Sequence, residues 1–489
     1  MMENNFPDSW ELVKLVEQLN FLPTGVKEFE GIKKYFSTGS IQENEFTPEG
    51  EFTFINRPSR ANRIAELGDV LQARMKATDK GLLIDEKLDG QLFSTGFLQV
   101  KPYGETYNNK LLYYYIKSEF FLTQKNELAT GSTQEALTDN GANDIVIPLP
   151  PLPEQHRIVD KLDAVMQKVE SNKLRLDKIP KLLKRFRQSV LAAAVSGRLT
   201  EEWRKKNNYE NLFEISKQFE INDTYRELNE LSENWKWVAL GNYVKCNRGR
   251  FSIRPRNDPR YFGGSIPFIQ IGDLPREGGF INTHKQTLNE SGLKVSKMFP
   301  KNTLTMAIVG ATIANTGILA YDMCFTDSMV GMNKGDLDLN LFLDYYLRIE
   351  KENFRQLSYA GGGQPNIKLE LLNDYPFPLP PKEEQKEIVR KVEQLFAFAD
   401  KIEARYTKAK TILDKLPQSI LAKAFRGELV PQNPNDEPAS VLLERIKKEK
   451  EKLAGEKKVK KIKEYSIKEK PLKIAAEKEV KYIKVITGK

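Results

Sequence analysis

The apolar residues of this chain follow a helical spacing in two long stretches. From Ile158 onward they recur in alternating steps of four and three, which is the spacing of a heptad seam along one face of an α-helix. The pattern returns 230 positions later, from Ile388. We therefore predict two long helices whose seam positions are Ile158, Leu162, Val165, Val169, Leu176, Ile179, Leu183, Phe186, Val190 and Ala193, and Ile388, Val392, Leu395, Ala399, Ile402, Tyr406, Ala409, Leu413, Leu416 and Ile420.

The two helical segments are copies within an internal repeat. Each begins with the same proline-rich leader, at Pro148–Val159 and at Pro378–Val389. Proline lacks an amide donor and restrains the residue before it, so each leader delays the start of its helix. Each copy closes with a glycine suited to a C-terminal cap, Gly197 and Gly427.

A heptad seam requires a second helix, and two copies in one chain supply it without dimerisation. We predict an internal coiled coil of two antiparallel helices. The alternative is that each helix packs on its own neighbouring module as ordinary core. Pro180 and Pro417 lie inside the patterns, so each helix should kink or consist of two pieces.

The regions beside the helices predict mixed α+β modules, because short β-type runs alternate with turn residues and helical segments. In the second module we predict strands at Ile266–Ile271, Thr303–Val309 and Gly317–Tyr321, and helices at Leu339–Leu347 and Leu369–Leu372. In the first we predict strands at Phe52–Ile55, Val70–Ala73 and Leu92–Val100, and a helix at Lys110–Phe121.

The composition of the 489 residues excludes several classes of protein. Two cysteines, Cys246 and Cys324, cannot form a disulfide framework, which indicates a reducing, cytoplasmic location. No apolar run approaches the ~20 residues that span a bilayer. Two histidines, His156 and His284, do not suffice for a His/Cys zinc site, and both are expected at the surface. We found no phosphate-binding loop, methyltransferase motif or nuclease constellation, so we expect no catalytic residue, cofactor or metal in this chain.

Charge is distributed unevenly. Residues 444–489 contain 17 Lys/Arg and 8 Asp/Glu, which accounts for the whole formal net charge of +9. This Lys-rich tail is predicted to start as a helix with Leu442, Leu443, Ile446 and Leu453 on its apolar face. Beyond that it is expected to be disordered, to contact DNA phosphates or to dock a partner.

Nucleic-acid binding by the neutral body must therefore come from local clusters of positive charge. The second module offers Arg248, Arg250, Arg254, Arg256 and Arg260, with Lys285 nearby, and the first offers Arg57, Arg60, Arg63, Arg74 and Lys76. Arginine forks in loops suit guanine edges and phosphates, which favours DNA contact. The alternative is an ordinary, partly salt-bridged surface.

Two modules joined by long helices could be held at a fixed distance from each other. An uninterrupted helix from Glu154 to Ile179 would span about 40 Å at ~1.5 Å per residue. One turn of B-DNA is about 34 Å. Two unlike modules at such a distance would read a split, asymmetric site.

These features resemble the specificity subunits of type I restriction–modification systems. The resemblance rests on the repeated Pro-Leu-Pro-Pro leader and on the helix end Gln-Ser-x-Leu-Ala, at Gln188–Ala192 and, with isoleucine, at Gln418–Ala422. It is supported by Ile266–Asp273, Gly310–Ala314 and Gly361–Ile367, and more loosely in the first module by Arg60–Arg63 and Ser94–Phe97. The match covers nearly the whole chain to about residue 433.

The resemblance implies an α+β fold with a pseudo-two-fold internal repeat. Two globular α/β target-recognition domains would be separated by two long antiparallel helices. The expected segments are target-recognition domain 1 at 1–147, a central conserved helical region at 148–200, a linker at 201–230, target-recognition domain 2 at 231–377, a C-terminal conserved helical region at 378–430 and the Lys-rich tail at 431–489.

The function that it implies is non-catalytic. The chain would read a bipartite DNA site, with the helices setting the spacer and docking two modification subunits and restriction subunits. S-adenosylmethionine, ATP and Mg²⁺ would be bound by those partners, which methylate adenine at N6, translocate and cleave. Arg157, Lys161, Arg187 and Gln188 would face partner subunits. The alternatives are a DNA-binding scaffold without sequence specificity and a catalytic restriction or methyltransferase polypeptide.

Overall fold

The computed structural model describes residues 6–42, 45–207, 230–359, 365–452 and 455. Most of the predicted linker, part of the 361–367 motif, Leu453 of the predicted tail helix and the tail from 456 lie outside the described residues. The described chain forms two compact units, Met1–Arg175 with Ala409–Lys489 (unit 1) and Leu176–Lys408 (unit 2). Each unit contains one predicted module and parts of both predicted helices.

Unit 1 contains the first module, made of short strands and four short helices, and the helix α5. Its strands are β1 Glu11–Lys14, β2 Leu19–Phe21, β3 Lys33–Phe36, β4 Ile41–Gln42, β5 Glu45–Phe46, β6 Gly50–Phe52, β7 Ala61–Ile64, β8 Val70–Ala73, β9 Gly81–Leu83, β10 Leu92–Ser94, β11 Phe97–Pro102, β12 Ala129–Thr130, β13 Ala136–Leu137 and β14 Val146–Leu149. Its helices are α1 Leu15–Gln18, α2 Asn109–Ile116, α3 Glu119–Glu127, α4 Asp139–Asp144 and α5 Leu152–Leu176.

Unit 2 contains the second module and the helix α6 Ile179–Val195, followed by α7 Glu201–Lys206. Its strands are β15 Lys236–Ala239, β16 Cys246–Arg248, β17 Phe262–Ile269, β18 Phe280–Ile281, β19 Gln286–Leu288, β20 Met298–Phe299, β21 Leu304–Ala307, β22 Thr316–Leu319, β23 Met323–Phe325, β24 Met329–Met332 and β25 Pro376–Leu379. Its remaining helices are α8 Leu240–Tyr243, α9 Glu290–Lys294, α10 Leu337–Ile349, α11 Lys351–Tyr359 and α12 Leu369–Asp374, and α13 Lys382–Ala424 continues into unit 1.

The two modules share a strand order despite their unlike sequences. The first has sheets β6–β3–β10–β7 and β2–β11–β8–β9, and the second has β19–β17–β23–β20 and β16–β24–β21–β22–β18. The six pairings within the two four-stranded sheets of the first module recur in the second. Among these six, the parallel pair is β3 with β10 in the first module and β17 with β23 in the second, and the second module has a further parallel pair, β18 with β22. Strand β18 is an addition in the second module.

The repeated leader also forms the same pairing twice. Glu11 in β1 lies opposite Leu149 in β14, and Lys236 in β15 lies opposite Leu379 in β25. Both pairs are antiparallel. The first two residues of each leader therefore end a short strand that fastens the start of its module to the helix that follows.

The long helices lie side by side in opposite directions in each unit, as predicted. In unit 1, Lys173 near the end of α5 reaches Asp414 in α13 at 3.9 Å. In unit 2, Arg187 in α6 pairs with Asp400 at 2.6 Å and Glu403 at 2.7 Å. The seam residues pair the two helices, as in the predicted coiled coil, and some of them also pack on the neighbouring module, as in the alternative. Val190 and Val392, for example, belong to the core of the second module.

The predicted ends of both helices are present, and the predicted break is present in the first helix only. Gly197 and Gly427 both have a φ of +74°, the left-handed conformation that glycine adopts readily. The first helix is in two pieces, α5 and α6, with Pro180 in the first turn of the second piece. The second is a single helix of 43 residues that contains Pro417.

The predicted strands and helices of the second module are confirmed, whereas three predictions in the first module are wrong in part. The predicted strand Leu92–Val100 is two strands, β10 and β11, separated by a turn at residues 95 and 96. Residues 53–55 form a turn after β6, because Asn56 Oδ1 accepts hydrogen bonds from the Thr53 amide (2.7 Å) and hydroxyl (2.9 Å). The predicted helix Lys110–Phe121 is two helices, since Ser118 caps α3.

The start of the tail is helical as predicted, over 439–452. Leu442 and Ile446 are buried in unit 1, and the Ala439 amide donates to the Ser9 carbonyl at 3.0 Å. Cys246 and Cys324 are buried free thiols. In the described part of the chain, no helix is long and apolar enough to cross a membrane.

Candidate nucleic-acid interface

The arginine cluster of the second module is organised around one acid, Asp327. The Arg256 guanidinium lies 2.6 Å from the Asp327 carboxylate, and that of Arg254 lies 3.5 Å from it. Arg248 donates to the Asp327 carbonyl at 2.7 Å. Asp327 therefore gathers three exposed guanidinium groups, two at its carboxylate and one at its carbonyl, which leaves an excess of positive charge at this surface.

The loop that carries these arginines is anchored in the core. Phe251 is 1% exposed, and its ring packs on those of Phe262 and Phe268, with centroids 5.6 and 5.1 Å away. Its neighbour Arg250 is exposed and donates to the Ser296 carbonyl. Because the anchor is rigid, the flanking arginines are presented to solvent from a defined backbone.

The remaining predicted cations of the second module are also exposed. Arg260 pairs with Asp258 at 2.6 Å and has 79% of its side chain exposed. Lys285 lies 3.6 Å from Asp273 and is 81% exposed. His284, expected at the surface, is half-buried and lies 2.6 Å from the Tyr321 hydroxyl, whereas His156 is exposed. The DNA contacts of these cations stay predictions.

The cluster of the first module is divided by the fold. Arg60 is exposed, and Lys76 pairs with Glu135 at 2.7 Å at the surface. Arg57 lies over the Phe54 ring, 4.0 Å from its centroid, and donates to the Phe54 carbonyl. These three side chains are accessible to a duplex.

Arg63 and Arg74 point into the protein, and their predicted DNA contacts are not supported by this geometry. Arg63 is 2% exposed and donates to the Leu22 carbonyl at 2.7 Å. Burial lowers the pKa of Arg63 to about 10, and the charge of Arg74 acts in the same direction. Arg74 binds the carbonyls of Phe97 and Leu137 and the Asp139 carboxylate. The sequence did not distinguish these supporting arginines from exposed ones.

A buried lysine that sequence reasoning missed shapes the same surface. Lys125 in α3 has no exposed area, and its ammonium group donates to the carbonyls of Met75 (2.9 Å), Ala73 (3.4 Å) and Thr78. Burial lowers the pKa of Lys125 to about 8, and nearby Asp79 opposes that shift. Lys125 thus fixes the backbone that presents Lys76.

Two equivalent buried glutamates tie the modules to the helices. Glu154 accepts hydrogen bonds from the Trp10 indole (2.9 Å) and from Gln432 (2.6 Å) in unit 1. In unit 2, Glu384 accepts from the Trp235 indole (2.9 Å), from Thr200 (2.6 Å) and from Arg204. Burial raises the pKa of Glu154, and its hydrogen bonds oppose that shift. The signal for this pair was the repeat, which carries both the tryptophan and the glutamate twice.

The predicted partner-facing residues differ in their availability. Lys161 and Gln188 are exposed. Arg157 pairs with Asp436 at 2.6 Å within unit 1, and Arg187 pairs with Asp400 and Glu403 within unit 2. The two arginines thus have partners inside their own units, and contact with other subunits stays a prediction.

Comparison with known proteins identifies this arrangement. The family described as the type I restriction modification DNA specificity domain matches residues 24–181 and 232–411, so it matches the chain twice. The chain belongs to this family. Each matched segment comprises most of one module and runs into the long helix that follows, so the helical repeat found in the sequence lies within both matches.

The most similar relatives include specificity subunits from Escherichia coli. The chain is 30% identical to the EcoDI specificity subunit over 483 residues, which cover 94% of this chain and 100% of the relative. It is 34% identical to the EcoBI specificity subunit over 372 residues, covering 73% and 75% of the two chains. This confirms the resemblance and the non-catalytic interpretation, in which the chain is a type I specificity subunit rather than a catalytic polypeptide.

The fold of the specificity subunits is also shared. The HsdS subunit of Thermoanaerobacter tengcongensis, known from its crystal structure, matches with a TM-score of 0.61 at 24% identity, covering 87% of this chain and 99% of that one. A chain from a study of the assembly and conformational transition of a type I system matches with a TM-score of 0.66, also at 24% identity. These matches confirm the predicted fold class.

Proposed function

We propose that each module of this specificity subunit reads one half of a bipartite, asymmetric DNA site. The observation that carries the proposal is the shared strand order of two modules with different loop chemistry. A common frame would dock each module on DNA in the same way. Unlike loops, such as the arginines around Asp327 in one module and the backbone fixed by Lys125 in the other, would then read different bases.

The long helices are proposed to set the spacer between the half-sites. The support is their continuity, since α13 has 43 residues and contributes to both units. Insertion of one heptad into each helix should keep the seam in register. The methylated motif should then keep both half-sites and change its spacer, and an unchanged spacer would contradict the proposal.

Two modification subunits and further restriction subunits are the proposed partners. The support is a pair of exposed, large aliphatic residues at equivalent positions of the repeat, Leu182 in α6 and Ile412 in α13, each 58% exposed. Two equivalent apolar positions suit two copies of one partner. The partners, in the cytoplasm, would bind S-adenosylmethionine, ATP and Mg²⁺, methylate adenine at N6, translocate and cleave.

The reading of half-sites is tested by exchanging the first module. Residues 1–147 are replaced with those of a relative of different specificity, and adenine methylation is mapped in a genome that expresses the hybrid with its partner subunits. One half of the motif should change while the other half stays. A change in both halves, or methylation without a motif, would reject the assignment of one module to one half-site.

The stoichiometry is tested by the mass of the assembled complex. Leu182→Glu and Ile412→Glu should each remove one modification subunit, and the double variant should remove both. Leu174→Glu is the matched control, because Leu174 is equally exposed but the repeat places the much smaller Ala404 at its equivalent position. Absence of both subunits in a single variant, or of neither in the double variant, would contradict two equivalent sites.

A further inference from the structure

Unit 2 contains a large concave cleft beside the helix α6. Its volume is about 970 Å³. One wall is the helix α6, and the others are the loop at 276–278, the start of β22 and the corner between α10 and α11. The arginines around Asp327 are not among its lining residues.

The lining of this cleft is rich in cations. Among the described residues, six Lys and Arg side chains line it against three glutamates. The cations are Lys184, Arg187, Arg276, Arg348, Lys351 and Arg355, and the acids are Glu277, Glu352 and Glu403. Four of the cations are ion-paired, Lys184 with Glu277, Arg187 with Asp400 and Glu403, Arg348 with Asp344 and Arg355 with Glu352. Within the described residues no ion pair involves Arg276 or Lys351. The positive charge that remains in this concave site favours anionic ligands.

The cleft has a rigid polar floor. Arg348 is only 15% exposed and lies 3.6 Å from the fully buried Asp344, which accepts a hydrogen bond from Thr316 at 2.6 Å. Asn315 is 7% exposed, and its Oδ1 atom has no hydrogen-bond partner in the part of the chain that the structure describes. An amide oxygen accepts hydrogen bonds, so a donor such as water, rather than a phosphate oxygen, would complete it, and the anion site rests on the cations.

Positive charge is crowded at the rim. Burial lowers the pKa of Lys351, and the neighbouring charges of Arg355, Arg348 and Lys184 lower it further, against the opposing effect of Glu277. The Lys351 ammonium group also lies 3.4 Å from the Arg276 carbonyl. An anion bound among these groups would relieve the repulsion between them.

The internal repeat shows that the cations of α6 are particular to this copy. Lys184 and Arg187 occupy the positions of Asp414 and Pro417 in the other helix. Gln188 corresponds to Gln418, which in unit 1 bonds the Lys117 carbonyl and the Glu119 amide at 2.9 Å each. The shared scaffold thus does not require cations here. In this copy Arg187 pairs with Asp400 and Glu403 of α13, and Lys184 lies 3.9 Å from Glu277, so both cations are partly neutralised inside unit 2.

We propose that this cleft binds backbone phosphates of DNA and adds affinity that does not depend on sequence. The inference rests on the proposed reading of DNA by this module. The loop between β21 and β22 connects the cleft with the arginines around Asp327. At one end of this loop the Ile308 amide donates to the carbonyl of Ser328, the neighbour of Asp327, at 3.0 Å, and at the other end Asn315 lines the cleft. Arginine forks suit phosphate oxygens. The chain lacks a glycine-rich phosphate loop, which favours DNA over a free nucleotide.

The test compares two triple variants of the full chain that remove the same amount of charge. One is Arg276→Gln, Lys351→Gln and Arg355→Gln in the cleft. The control is Lys301→Gln, Lys386→Gln and Lys401→Gln, exposed residues of unit 2 outside it. The cleft variant should bind the mapped target duplex and a scrambled duplex more weakly by the same factor, roughly 10-fold or more. The slope of log affinity against log salt concentration should become shallower by about 0.9 for each phosphate that the variant no longer neutralises.

A second variant keeps the inference testable if the triple variant unfolds. Lys184→Asp installs the residue that the other copy carries, on an exposed helix position. It should weaken binding of both duplexes and leave the ratio between them unchanged. Cleft variants that bind both duplexes as well as the control would overturn the inference, and so would weakening confined to the target duplex.

Separate measurements distinguish the source of the phosphate and the failure of the proposed function. Tripolyphosphate should compete weakly with DNA for the wild-type chain. Tight, stoichiometric binding of tripolyphosphate that is abolished in the cleft variant, with DNA binding intact, would assign the cleft to a free polyphosphate instead. Equal binding of target and scrambled duplexes by the wild type would reject sequence reading. The affinities of the cleft variant and the control variant would still show whether the cleft binds DNA phosphates.

Discussion

The two modules share six strand pairings and bury different sets of charged side chains. The first module buries two cations, Lys125 and Arg63, and one acid, Asp69. The second buries a single acid, Asp344, beside Thr316 and Arg348, among the described residues. The comparison shows that hydrogen bonding between strands fixes the frame, while the side chains that support the loops can differ completely between modules.

The cationic surfaces of the modules differ in the same way. In the first module, Arg63 and Arg74 turn inward and support the fold. In the second, Arg254 and Arg256 turn outward around Asp327. Because the frame is shared, matched positions of the two modules serve as controls for each other.

The largest expected effect is removal of the buried glutamate in unit 2. Glu384→Ala should destabilise the protein by about 3–5 kcal/mol, because it leaves the nearly buried Arg204 without its counter-charge. Glu154→Ala leaves two neutral donors, those of Trp10 and Gln432, without their acceptor and should cost less, about 1–3 kcal/mol. Denaturant unfolding of both variants measures the difference. Equal destabilisation would show that Arg204 does not depend on Glu384.

The next effect is a dependence on pH that comes from Lys125. Its pKa is lowered from 10.5 to about 8 in the folded protein, so the unfolded chain binds more protons between these values and stability rises with pH there. The gain should approach about 3 kcal/mol over that range. In Lys125→Met the free energy of unfolding should lack this rise, which unfolding measurements between about pH 8 and 10 would detect.

Asp344 should give the opposite sign in the second module. Burial raises its pKa, so its contribution to stability is present at acid pH and falls as pH rises from the unfolded value of 3.8 through the folded one. Asp344→Asn should remove that fall. If the acid-side pH dependence of the two proteins is the same, the buried carboxyl does not titrate as described.

A smaller effect is expected at the corner between α2 and α3. The Ser118 hydroxyl accepts from the Phe121 amide at 3.3 Å and donates to the Tyr115 carbonyl at 2.6 Å. Ser118→Ala should cost about 1 kcal/mol of unfolding free energy, because it leaves a helix donor without a partner. Ser118→Thr keeps the hydroxyl and should retain most of the stability. The matching corner of the second module has Glu350, which offers no such hydroxyl cap.

The smallest effect on stability is expected at the surface ion pair of the first module. Lys76 and Glu135 are 43% and 47% exposed, so Lys76→Ala should change the free energy of unfolding by less than about 1 kcal/mol. If Lys76 contacts a DNA phosphate, the affinity for a duplex should nevertheless fall. The slope of log affinity against log salt concentration should also become shallower by about 1. Duplex binding that is unchanged at low salt would remove Lys76 from the interface.

Sequence patterns predicted the elements whose cause is local. The heptad spacing, the leaders and the glycines at 197 and 427 determine where the long helices lie and end, and the repeat predicted their antiparallel pairing. The predictions failed where a side chain competes with the backbone, as Asn56 does after β6 and Ser118 does between α2 and α3. Such competition depends on a single hydrogen bond, which periodicity does not register.

What the sequence determined by itself was the architecture and the family, because repeats, periodicity and capping residues are properties of neighbours along the chain. The tertiary structure alone decided which cations are available. Arg63 is buried against Leu22, 41 residues away, and Lys125 binds carbonyls about 50 residues away, whereas Arg256 meets Asp327 from 71 residues away and remains exposed. The environment of a charge is set by residues remote in sequence, so only the folded chain separates a supporting arginine from one that can meet DNA.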